Sequence, residues 1–103
     1  MHQAVWALGN ISGDSTTLRD KVIQCGAVEP LVSLLKGCTD EMLLKQGIWT
    51  LSNLCRGKPL PKFQKVYKAI PPFAEVLKTV KDTEMLIDAA WALSYLSGML
   101  LEK

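Results

Sequence analysis

Asp40-Glu-Met-Leu-Leu-Lys-Gln-Gly-Ile-Trp-Thr-Leu-Ser-Asn-Leu-Cys-Arg56 is answered 42 positions later by Asp82-Thr-Glu-Met-Leu-Ile-Asp-Ala-Ala-Trp-Ala-Leu-Ser-Tyr-Leu-Ser-Gly98. Asp40 returns as Asp82, Leu44 as Leu86, Trp49 as Trp91, Ser52 as Ser94 and Leu54 as Leu96. The register extends upstream, where Ala27, Pro30 and Leu35 pair with Ala69, Pro72 and Leu77. At an offset of 43 the opening segment joins in, pairing Trp6 with Trp49, Leu8 with Leu51 and Asn10 with Asn53. A period in the low forties, carried by helix-forming residues, marks a helical repeat array.

Punctuation inside one period divides it into three helices. Thr16 to Gln24 makes a short first helix after the Gly13-Asp14-Ser15 break, stopped by Gly26. Pro30 suits the opening turn of a second helix over 27–36, because the N–H that proline lacks has no partner there anyway, and Gly37 stops it. The third helix runs over 40–56 with Asp40 as its N-cap. The plan repeats over 62–68, 71–79 and 82–97, and the chain opens on a third helix over 3–12. A short, medium and long triplet is the armadillo layout. The expected fold is an all-α, right-handed armadillo solenoid fragment of about two and a half three-helix repeats. Its expected divisions are 1–14 (the last helix of a truncated repeat), 15–57 and 58–98 (complete repeats) and 99–103 (a C-terminal tail).

Composition narrows the function classes. Apolar residues are 49% of the chain, with seven glycines and five prolines, which suits a packed helical unit and not a disordered tail. Twelve basic against ten acidic residues is too even a balance to announce a nucleic-acid or membrane partner. Cys25, Cys38 and Cys55 are widely spaced, and the one histidine, His2, lies at a loose end, so neither a disulfide framework nor a metal site is expected. Each thiol is read as a small reduced hydrophobe. Neither a run of 18 apolar residues nor the basic-then-apolar start of a secretory signal occurs, so a soluble intracellular protein is expected. Without a nucleophile elbow, a phosphate-cradling loop or a His near a Cys, no enzyme and no cofactor are expected.

The tryptophans carry the functional signal. At about 100° per residue, Leu44, Ile48, Leu51, Leu54 and Cys55 share one side of their helix, while Trp49 lies opposite with Lys45, Gln46, Ser52, Asn53 and Arg56. Trp91 likewise sits among Glu84, Asp88, Ser94 and Tyr95, and Trp6 beside Gln3 and Asn10. Three indoles on polar faces at one repeat phase form a ladder on one surface. Asn10 and Asn53 follow their tryptophans by one turn, roughly 6 Å along the same face. An amide offers a donor and an acceptor, enough to bond the N–H and C=O of one residue of an extended ligand. Gaps between indoles suit long aliphatic stems, and a cation passing a ring face gains about 0.5–2 kcal/mol. Asp14, Glu84 and Asp88 supply acid for such cations.

Taken as words, Gln3-Ala-Val-Trp-Ala-Leu-Gly-Asn-Ile-Ser-Gly-Asp14, Trp49-Thr-Leu-Ser-Asn-Leu-Cys-Arg-Gly-Lys58 and Asp88-Ala-Ala-Trp-Ala-Leu-Ser-Tyr-Leu-Ser97 closely resemble the importin-alpha (karyopherin-alpha) family. That resemblance implies a nuclear import adaptor working between cytoplasm and nucleus, with basic nuclear-localisation-signal peptides of cargo proteins as partners. It implies that Trp6, Trp49 and Trp91 line the larger signal site, that Asn10 and Asn53 grip the peptide backbone, and that Asp14 pairs with the signal's critical lysine. Glu84 and Asp88 flank the other end, with Arg56 and Tyr95 nearer the linker of two-part signals. Regions of the family that bind importin-beta and the export receptor, and its second peptide site, have no counterpart in these 103 residues. Gly98 stands where the family carries an acid, and Gly47 interrupts a helix at a cost of about 1 kcal/mol relative to Ala.

Two rivals keep less of the pattern. A general armadillo scaffold for a non-basic peptide would want lysines on the ladder, which holds only Lys45 and Arg56 against three acids. Nucleic acid could meet Arg56, Lys58, Lys62, Lys65 and Lys68, but that run reads as the solvated face of a short helix. Repeat arrays draw stability from neighbour interfaces, so apolar faces on the end helices and self-association through them are expected.

Overall fold

A computed structural model describes residues 2–101 and contains, in order, α1 (His2–Asp14), α2 (Thr16–Gln24), α3 (Val28–Leu35), α4 (Glu41–Cys55), α5 (Phe63–Val66) with a 3₁₀ turn (Tyr67–Ala69), α6 (Ile70–Thr79) and α7 (Thr83–Leu101). Three helix starts carry side-chain caps, one of them at the Asp40 named from the sequence. Ser15 accepts from the Leu18 amide at 3.1 Å, Asp40 from Leu43 at 3.1 Å and Asp82 from Met85 at 3.2 Å, each side chain taking an amide left free at a helix start. Gly37, at φ 67°, takes the left-handed conformation that ends α3.

The long third helices stack, with α4 lying between α1 and α7 and the shorter helices behind them. Ile48, Leu51, Leu54 and Cys55 on α4 have no exposed surface. They pack with Val5, Phe73, Met85 and Ala89 into one core. Burial removes each aliphatic side chain from water for about 1.5–3 kcal/mol.

Several boundaries move. Helix α1 continues through Gly13 to Asp14, so the expected break contracts to Ser15. Expected over 62–68, the first helix of the second repeat is one α turn that tightens into 3₁₀ geometry. Residues 99–101, read from sequence as the start of a tail, extend α7 because Met99 is 6% exposed and belongs to the core. Residues 102 and 103 of that tail lie outside the described residues. Nor is His2 a loose end: its Nε2 lies 2.7 Å from the Asp40 carboxylate at the head of α4. Of the thiols only Cys55 behaves as a buried hydrophobe, its pKa pushed up to about 12 by burial, whereas Cys38 is half-buried and Cys25 is exposed.

Gly47 has a packing reason. A Cβ there would overlap the Leu35 side chain, whose terminal methyl presses on the α4 backbone. Gly47→Ala is therefore expected to destabilise by up to about 2 kcal/mol, overpacking of about 1–3 kcal/mol outweighing the roughly 1 kcal/mol gained in helix propensity. Urea unfolding would show it as a lower midpoint, and a higher midpoint would contradict it. At the ends of the stack Ile87 and Leu101 on α7 are exposed, as expected of end faces, and so is Ile11 on α1, which helical period alone puts on the inward side with Val5 and Leu8. Among the described residues no helix is long and apolar enough to cross a membrane, and no cluster of side chains has the makings of a metal site.

Candidate functional site

Three third helices at one phase bring residues distant in sequence to one surface. A cavity of about 640 Å³ opens there, with Trp6 from α1, Met42, Lys45, Gln46 and Trp49 from α4, and Glu84, Met85 and Asp88 from α7 in its wall, together with Glu41 and Asp82 at the helix starts. Trp6, Trp49, Glu84 and Asp88 are thus brought together. Asn10, Asp14, Arg56, Trp91 and Tyr95 are not part of that wall.

The indoles are not equivalent. Trp6 and Trp91 are 56% and 58% exposed, while Trp49 is half-buried. The cause is Gly9: its missing side chain makes room for the six-membered ring of Trp49, which a Cβ would overlap. Trp49 is therefore seated on the α1 backbone and offers only part of its ring to a ligand. Trp91 stacks on Tyr95, ring centroids 5.9 Å apart and planes 24° apart, one turn along the same face of α7.

Asn53 departs from the open amide expected of it. It is 4% exposed, and its Nδ2 donates to the Gly9 carbonyl at 3.0 Å. Thr50 does the same one turn earlier, its hydroxyl donating to the Val5 carbonyl at 3.0 Å. Two polar side chains of α4 thereby fasten it to α1 and leave Asn53 little freedom to grip a ligand backbone. Asn10 and Asp14, at the open side of α1, remain exposed.

Electrostatics concentrate on α7. Burial first, and then the neighbouring Glu84 carboxylate, hold the Asp88 carboxyl above the usual aspartate range, while Arg56 and Lys45 pull it back. Glu84 is already engaged: the Lys45 ammonium donates to its Oε1 at 3.0 Å and lies 3.8 Å from Asp82. Lys45 has its pKa raised, chiefly through that hydrogen bond. One polar group in the wall has no partner. Gln46 Oε1 is buried without a hydrogen-bond donor among the described residues. Met42, Lys45 and Gln46 precede Trp49 by seven, four and three residues. Helical spacing alone puts them on its side, which is the signal for three wall residues absent from the candidate set.

Comparison with known proteins agrees with the repeat architecture. The armadillo/β-catenin-like repeat model matches residues 15–56 and 61–98. Importin subunit alpha-2 of Arabidopsis thaliana is 50% identical over 95 residues, covering 92% of this chain and 18% of the relative. Importin subunit alpha-6 of the same plant is 46% identical over 101 residues, covering 98% of this chain and 19% of the relative. In Schizosaccharomyces pombe, importin subunit alpha-1 is 47% identical over 86 residues, covering 82% of this chain and 16% of the relative. The chain thus spans less than a fifth of the length of these relatives. With two repeats matched and the third helices stacked at one phase, the chain belongs to the armadillo/β-catenin-like repeat family and is similar over nearly its whole length to importin alpha subunits.

Proposed function

We propose that the face formed by α1, α4 and α7 holds an extended Lys/Arg-rich peptide of the nuclear-localisation-signal kind, as part of an import adaptor working in cytoplasm and nucleus. One observation carries the reading. Two indoles and four carboxylates, from Glu41, Asp82, Glu84 and Asp88, share a single open cavity of about 640 Å³. Ring faces and aliphatic walls suit the stem of a lysine or arginine, and carboxylates at its end suit the cation. Asn10 is the amide left open to peptide backbone, and Trp91 with Tyr95 extends the aromatic surface along α7. Asp14 and Arg56, at the C-terminal ends of α1 and α4, belong to the proposed surface outside the cavity wall.

Titration with a labelled Lys/Arg-rich peptide, followed by tryptophan fluorescence, tests the reading. A saturable change is expected, weakened by salt as exposed charges are screened. Absence of any saturable change would overturn it. The raised Asp88 pKa adds a pH signature. Protonation removes the negative charge that attracts a cation, and at Asp88 it sets in at a higher pH than the ordinary aspartate value of 3.8. Affinity is therefore expected to hold at neutral pH and to decline on acidification before ordinary carboxylates titrate, with that early decline missing in Asp88→Asn.

A further inference from the structure

The groove already holds a cation of its own. Lys45 lies four residues before Trp49, one helical turn along the same side of α4, and reaches across to α7. Its ammonium lies 3.0 Å from Glu84 and 3.8 Å from Asp82, where the cation of a basic ligand would be drawn. Against the four wall carboxylates of Glu41, Asp82, Glu84 and Asp88 it leaves three negative charges unbalanced.

We infer that Lys45 is a built-in competitor that sets the charge threshold of this groove: a ligand must bring several cations to displace or outbid it, and a peptide with a lone lysine gains little. The inference rests on the peptide-binding reading of the same cavity. The Lys45 side chain is 39% exposed and that of Glu84 77%, so the pair is held weakly enough to open. An incoming ammonium that takes Glu84 releases Lys45 towards water, and the carboxylate keeps a partner throughout. The exchange weakens binding of every basic ligand by nearly the same factor. Ligands with one charge lose most of their margin, and those with several retain it. Because the factor is common, ratios between basic ligands stay as they are, and what Lys45 sets is the absolute affinity that a ligand must exceed.

The test compares wild type, Lys45→Gln and Lys45→Arg. Each is titrated with a fluorescein-labelled Lys-rich peptide, with a version keeping one lysine, and with a version in which every lysine is glutamine. Circular dichroism confirms that the exposed substitutions leave the fold unchanged. Lys45→Gln is expected to bind both lysine-containing peptides tighter, by roughly 1.5-fold to fivefold, the range of an exposed ion pair. The gain should shrink as ionic strength rises and be absent with the glutamine peptide. Lys45→Arg, which keeps the cation, should match wild type. Equal or weaker binding by Lys45→Gln overturns the inference, and so does an equal gain with the glutamine peptide, which would mean only that space had been cleared. If wild type and Lys45→Gln both fail to bind any basic peptide, the proposed function itself falls. That result is distinct from wild-type binding without a gain.

Discussion

Replacing Arg19 by methionine is expected to lower the unfolding free energy by about 2–6 kcal/mol, from two backbone carbonyls left unbonded at about 1–3 kcal/mol each. Arg19 is the largest fully buried side chain of the fold, only 1% exposed. Its Nη1 donates to the carbonyl oxygens of Arg56 at 2.8 Å and Gly57 at 3.2 Å, while Nε and Nη2 donate to the Asp20 carboxylate at 3.0 and 2.8 Å. The guanidinium thus ties α2 to the end of α4, where the chain leaves the helix through Arg56 and Gly57. Methionine fills a similar volume and removes a buried charge, but it cannot donate to either carbonyl, and the charge relief is small because Asp20 already balances it. Against a typical domain stability of about 5–15 kcal/mol, this loss is a large fraction. Urea unfolding followed by circular dichroism measures it, and a midpoint equal to that of wild type would contradict it. Arg19→Lys should recover only part of the loss, since an ammonium on a flexible stem lacks the planar fork that spans both carbonyls and the carboxylate.

A second large effect concerns binding and leaves stability almost untouched. Asp88→Asn is expected to weaken binding of a Lys/Arg-rich peptide by about 1.5–3 kcal/mol, roughly tenfold to a hundredfold, the contribution of a hydrogen bond to a charged partner. The sign for stability runs the other way. Burial and Glu84 raise the folded pKa of Asp88 above its ordinary value, so the fold prefers the neutral form. Stability contributed by that preference is present at low pH and is lost as pH rises through the folded value. At neutral pH the carboxylate is therefore a mild burden, and its neutral amide should leave the melting temperature unchanged or slightly higher. Asp88→Asn that both melts lower and binds weaker would indicate structural damage. Asp88→Asn that binds as tightly as wild type would remove Asp88 from the site. Loss of affinity with retained stability is the signature of a group kept for a ligand at some cost to the fold.

The cap at Asp40, prolines in first turns and the returning Trp, Ser and Leu were legible because each depends on neighbours within a few residues. The inward set of Ile48, Leu51, Leu54 and Cys55 was legible for the same reason, since helical period alone puts it on one side. Periodicity divides a helix into two sides, and that division fails for a helix with neighbours on both flanks. Helix α4 is such a helix. Thr50, Ser52 and Asn53 fall on or near its nominally polar side, yet contact with α1 and α7 buries all three. Only then do Thr50 and Asn53 find carbonyl partners, 45 and 44 residues away in sequence. The cation in the groove is likewise a product of distance: Lys45 and Glu84 are 39 residues apart and meet only because the helices stack.

By itself, then, the sequence determined the repeat, the long third helices, the apolar set at the core of α4 and the common phase of three tryptophans. Tertiary structure decided which members of that phase stay open. Trp6, Asn10 and Trp91 on the outer helices are exposed, whereas Trp49 is seated against Gly9 and Asn53 is bonded to it. The physical reason is that exposure and hydrogen-bond satisfaction belong to the space between helices. Local sequence rules describe one helix at a time, and that space is set by where glycine lets two backbones approach.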